Sequence, residues 1–122
     1  MLFVGQSLQF RRGALAGAFA RDDRMLLAAS ARAQVEAGAQ AIDLNFGIDP
    51  PPDEIPWAVA AVREACPDVP LWIDAGRPSA LTAALGACVR DGVAGPLVAN
   101  SLPAGVGMGA AFSQLLTQSL VR

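Results

Sequence analysis

The sequence predicts an α/β fold built from four βα units with parallel strands. Three observations predict it. Short apolar runs over residues 41–45, 70–74 and 96–101 each end in polar groups: Asp43 and Asn45, then Asp74, then Asn100 and Ser101. Helix-period patterns separate the runs, which is the arrangement of βαβ crossovers rather than of hairpins. The repeat is about 30 residues, the length of one βαβ element. In parallel sheets ligands sit beyond the carboxyl ends of the strands. Asp43, Asn45, Asp74 and Asn100 are therefore expected on one rim.

The first strand is expected over residues 2–5, with Gln6 and Ser7 as its polar tip. Residues 13–20 are Ala-rich and weakly helical. Asp22 or Asp23 caps a stronger helix running to residue 37, with Leu27, Ala31 and Val35 as its buried stripe and Gly38 as its stop. In the second strand, 41–45, Ile42 and Leu44 share one face, and Ala41, Asp43 and Asn45 the other. The run Asp49-Pro50-Pro51-Pro52 is a stiff loop. Asp53 caps the next helix, Pro56 fits its first turn, and Ile55, Val59 and Val62 form its stripe, ending near Cys66-Pro67.

The third strand, 71–74, sets Leu71 and Ile73 against Trp72 and Asp74. Gly76 and Pro78 break the chain before a helix over 79–90 striped by Leu81, Leu85 and Cys88. The fourth strand, 97–100, places Val98 and Asn100 on one face. A glycine-dotted loop and a final helix over 110–121 follow, the latter with Phe112, Leu115, Leu116 and Leu120 on its apolar side.

Composition narrows the chemistry. At 122 residues the chain has one domain's length, read here as a single domain over 1–122. It is 53% hydrophobic and only 16% charged, which points to apolar surface that another chain covers. A net charge of −2 offers no basic footprint for nucleic acid. No apolar run approaches the roughly 18 residues of a membrane span. The N-terminal stretch lacks the basic lead of a signal peptide, so a cytoplasmic location is expected.

Histidine and tyrosine are absent, and all 9 basic residues are arginine. Schiff-base chemistry and a phosphate-loop lysine are excluded, and acid–base work falls to Asp, Glu, Cys or bound water. Cys66 and Cys88 have no companions at metal-ligand spacing, so no metal site is expected, and each is a buried structural thiol or a reactive one. Gly105 to Gly109 lacks the spacing of a dinucleotide fingerprint and reads as a flexible loop. Arg77 either meets an anionic ligand tail or is a solvated or Asp-paired residue; Arg11 and Arg12 read as surface charge, and Trp57 as a helix residue packed on a neighbour.

The assembled runs resemble a known family. Val35 to Gly47 is similar to the second strand of the pterin-binding methyltransferases. These are the methyltetrahydrofolate:corrinoid methyltransferases and the folate-binding module of cobalamin-dependent methionine synthase, with dihydropteroate synthases as more distant cousins. Leu71-Trp72-Ile73-Asp74 resembles the third strand, which ends in a pterin-contacting Asp, and Leu97 to Ser101 the fourth, where an Asn-Ser pair contacts the pterin. The resemblance spans nearly the whole chain, in order. It implies the first half of a (βα)₈ barrel, a fold of roughly 250 residues when complete. It also implies pterin binding by Asp74 and Asn100, with Asp43, Asn45 and Ser101 beside them.

The activity it implies is transfer of a methyl group from methyltetrahydrofolate, or a related reduced pterin, to a corrinoid (cobalamin) carried by a partner protein. The chain departs from the family in places. The first strand continues as Gly5-Gln6-Ser7-Leu8, without the family's acid and amide, and Ala75 stands where a Ser is usual. The later barrel strands, which supply a further Asp and Asn, have no counterpart. A half barrel has two open edges and an uncovered inner face. Association is therefore expected, by two copies or with a second half-barrel chain. The alternative expectation is a non-catalytic half barrel, an assembly or regulatory partner derived from such an enzyme.

Overall fold

The computed structural model describes residues 3–77, 79, 81, 82 and 86, and the backbone of 97–101. It contains β1 (Leu8–Gln9), α1 (Ala18–Arg21), α2 (Arg24–Glu36), β2 (Ile42–Asn45), α3 (Glu54–Ala65), β3 (Leu71–Asp74) and β4 (Leu97–Ser101). The strands form one sheet in the order β1-β2-β3-β4, every pair parallel. Spatial order follows chain order without reversal, so the sheet is wound in one direction only.

The side-chain alternation of β2 and β3 sorts the two faces as expected. Ile42, Leu44, Leu71 and Ile73 are fully buried, while Asp43, Asn45, Trp72 and Asp74 are half-buried. The buried set joins Leu27 and Ala31 of α2 and Ile55, Val59 and Val62 of α3 in a single cluster. Each of the Val, Leu and Ile side chains in it contributes about 1.5–3 kcal/mol of burial. Both helices thus cover one sheet face, leaving the polar tips and Trp72 on the other.

Local signals account for most element ends. The Asp23 carboxylate accepts from the Leu26 N–H at 3.2 Å, as an N-cap should, and Gly38 ends α2 with φ +105°. Asp53 precedes α3 but its side chain makes no capping bond; its backbone is already helical (φ −93°, ψ −6°), a geometry that does not aim the carboxylate at the first turn. Val35 is exposed rather than in the core, on the rim of a hollow shared with Cys66, Pro67 and Val69. Trp57 packs edge-on to Phe19 at 5.4 Å and donates its indole N–H to Asp22 at 2.7 Å.

The first strand differs from expectation. Val4 bridges Ala41, and pairing resumes at Leu8 opposite Leu44. Four steps on one strand therefore match three on the other, which is the signature of a bulge across Gly5-Gln6-Ser7. The Gln34 side-chain amide of α2 holds it by donating to the Gln6 carbonyl at 2.5 Å. The polar tip of the strand is consequently Gln9, not Gln6 and Ser7.

Among the described residues, no helix is long and apolar enough to cross a membrane. Ser79, Leu81, Thr82 and Gly86 are helical, within the helix expected over 79–90. The rest of that helix with Cys88, the Gly105–Gly109 loop and the helix over 110–121 lie outside the described residues.

Candidate functional site

Parallel register builds a row at the carboxyl edge of the sheet. Gln9 is paired with Asn45, Asn45 with Asp74, and Asp74 with Ser101. One layer below, Asp43 is paired with Trp72 and Trp72 with Val98. Three of the sequence-predicted residues therefore share one face: Asp43 in the lower layer, Asn45 and Asp74 in the upper. Ser101 joins the upper layer by register.

Pairing steps from Ile73–Ala99 to Asp74–Ser101, so a register irregularity passes over Asn100 and brings Ser101 opposite Asp74.

The polar contacts fix the Asn45 amide. Its Oδ1 accepts the Gly47 N–H at 3.0 Å, so its Nδ2 is the end turned to Asp74, donating to Oδ2 at 3.4 Å. The Phe46 N–H donates to the Asp74 carbonyl at 2.8 Å, and the Gly76 N–H to the Gly47 carbonyl at 2.9 Å, so the β2–α3 and β3 loops are laced together. Close packing requires glycine here: a Cβ on Gly76 would stand 2.9 Å from the Ile48 Cα. What results is a carboxylate and an amide side by side, held by backbone, on the face that the helices do not cover.

Sequence reading missed the support beneath this row. Arg11 is not free surface charge. Its Nε donates to the Phe46 carbonyl at 3.0 Å and its Nη2 pairs with the Glu54 carboxylate. Glu54, at the start of α3, is only 2% exposed. Phe10 and Phe46 stack in parallel, 4.5 Å apart and both buried. No local signal marks the Arg11–Glu54 pair, since its members come from different βα units. Gln9 was discoverable by alternation alone, once the bulge is known.

The remaining charged groups are elsewhere. Arg77 lies 3.8 Å from Asp49, both exposed, which is the Asp-paired arrangement. Burial pushes the Cys66 thiol up, against the smaller opposing pull of Arg32 and Arg63. Among the described residues no group of His, Cys, Asp and Glu is arranged to hold a metal ion.

Two hollows flank the sheet. One of about 260 Å³ runs along β1, lined by Ser7, Leu8, Gln9, Arg12, Leu15 and Ser30 among others. The other, of about 340 Å³, is at the opposite end, where Arg32, Val35 and Glu36 of α2 meet Cys66, Pro67 and Val69. Comparisons with protein-family models, curated proteins and solved structures found no match.

Proposed function

We propose that this chain binds a reduced pterin on the polar row and belongs functionally with the methyltetrahydrofolate-dependent methyltransferases, acting as half of a completed barrel. The observation that carries the reading is the hydrogen-bonded Asn45–Asp74 pair at the carboxyl edge, with Ser101 in register. A pterin is a flat ring edged with N–H donors and acceptors. A carboxylate with one oxygen engaged by Asn45 keeps acceptor capacity for ring N–H groups. A few fixed polar groups beside apolar surface are what such a ligand needs, and Trp72 in the next layer offers that surface.

In this reading the chain's residues bind and orient. Asp74 accepts from the ring, Asn45 holds Asp74, and Asp43, Ser101 and Asn100 shape the surroundings. The corrinoid, on a partner protein, supplies the acceptor for the methyl group. With no histidine, lysine or tyrosine, this chain's own offer of a proton to the departing ring nitrogen is limited to a carboxylic acid, a thiol or held water.

Parallel sheets are normally buried on both faces. Closure by a second copy, or by a second half-barrel chain, covers Trp72 and pairs the outer edges of β1 and β4. Light scattering on the 122-residue chain tests this: a dimer or larger assembly is expected, and a compact monomer at high dilution contradicts it.

Isothermal titration with methyltetrahydrofolate tests the binding. Heat of binding is expected, with Asp74→Ala weakening it by about 1.5–3 kcal/mol, the usual worth of a hydrogen bond to a charged group. No heat at millimolar ligand rejects the pterin reading and leaves the non-catalytic half barrel, whose partner binding would be indifferent to Asp74→Ala.

A further inference from the structure

We infer that Arg11 is the positioning residue of the polar row, fixing the Asn45 side chain through the Phe46–Gly47 backbone. The inference draws on the pterin-binding reading only for its ligand. The last ladder bond between β1 and β2 is the Phe10 N–H to the Asn45 carbonyl, at 3.0 Å. Beyond it the backbones no longer pair, and the Arg11 side chain supplies the next rung by donating Nε–H to the Phe46 carbonyl at 3.0 Å. The next N–H in the chain, that of Gly47, is the one that orients the Asn45 Oδ1, and Asn45 in turn meets Asp74. The links are continuous from Arg11 to the carboxylate.

Two further choices in the sequence serve this contact. Glu54 is buried at the start of α3, where a charge is tolerated only when paired, and Arg11 pairs it. The planar fork of arginine meets both partners at once, Nε to the carbonyl and Nη2 to the carboxylate. Gly47 leaves the passage for that side chain: a Cβ there would stand 2.7 Å from the Arg11 Cγ. A surface arginine would need neither a buried partner nor a glycine beside it.

The test is Arg11→Lys in the 122-residue chain, followed by the side-chain amide resonances of ¹⁵N-labelled protein. Labelling with ¹⁵N-asparagine alone silences the six glutamines, and because Asn45 and Asn100 are the only asparagines in the sequence, Asn100→Asp then assigns the two pairs of signals. Lysine keeps a positive charge for Glu54 but lacks the Nε donor in its fork. The Asn45 side-chain signals are expected to shift and exchange faster, and the Kd for methyltetrahydrofolate to rise about tenfold, the scale of losing an outer hydrogen-bond partner. Glu54→Gln, which keeps an acceptor for Arg11, is expected to move those signals less. Asn45 signals unchanged in Arg11→Lys, or moved as far by Glu54→Gln, overturn the inference. If the wild-type chain binds no methyltetrahydrofolate yet the Asn45 signals move as expected, the positioning role stands and the pterin reading falls.

Discussion

Replacing Gly47 by alanine separates the rim's steric design from ordinary backbone strain. Gly47 has φ +78° and Gly13 has φ +73°, so alanine meets nearly the same conformational penalty at either position. That penalty is about 1–2 kcal/mol. The surroundings differ. Nothing lies within 4 Å of a Cβ on Gly13, whereas one on Gly47 stands 2.7 Å from the Arg11 Cγ. Arg11 must then move, losing its bond to the Phe46 carbonyl, about 0.5–1.5 kcal/mol. It also loosens its grip on buried Glu54, where complete loss of a partner costs about 3–5 kcal/mol.

Gly13→Ala is thus expected to cost about 1–2 kcal/mol and Gly47→Ala about 1–3 kcal/mol more. Urea unfolding followed by circular dichroism reads both, with unchanged m-values as the sign that stability alone has moved. In an Arg11→Met background the excess cost of Gly47→Ala should shrink, because the two changes remove the same contact. Equal costs at the two glycines, within about 0.5 kcal/mol, would refute the reasoning.

Other expectations follow from the same packing. Leu44→Ala removes a fully buried side chain from the centre of the cluster and is expected to cost about 2–5 kcal/mol in urea unfolding. Hydrogen bonds from Trp57 and then Arg24 hold the Asp22 carboxyl below its usual value. Its contribution to stability is accordingly present above the ordinary Asp range and lost as pH falls through the lowered value; ¹³C titration should show Trp57→Phe moving Asp22 back upward. Cys66 titrates above the ordinary thiol range, so its folded form loses stability as pH rises past that range, and alkylation near neutral pH should be slower than for a free thiol.

Much of this fold was legible in the sequence because its determinants are local. Alternation in 42–45 and 71–74 grouped Ile42 with Leu44, expected under the helices, and Leu71 with Ile73, and all four are fully buried. The Asp23 cap and the Gly38 stop bounded α2 to within a residue or two. The site was legible to the extent that strand tips are polar: Asn45 and Asp74 do meet. What escaped depends on pairing between distant segments. The bulge at Gly5-Gln6-Ser7 moves the tip of the first strand to Gln9, and periodicity within one strand carries no information about its neighbour's spacing. The irregularity that puts Ser101 opposite Asp74 is of the same kind. Arg11 read as solvated because its partner, Glu54, belongs to another βα unit, and only the folded backbone brings them together.

The central claim, that the carboxyl-edge row clasps a pterin, is tested most directly by titrating ¹⁵N-labelled protein with methyltetrahydrofolate and mapping the perturbed amides. Saturable shifts are expected at the Asn45 side chain and at the Gly47 and Gly76 backbone amides, with Val35, Cys66 and Val69 at the far end undisturbed. Saturable shifts confined to that far end, or none at millimolar ligand, would contradict it.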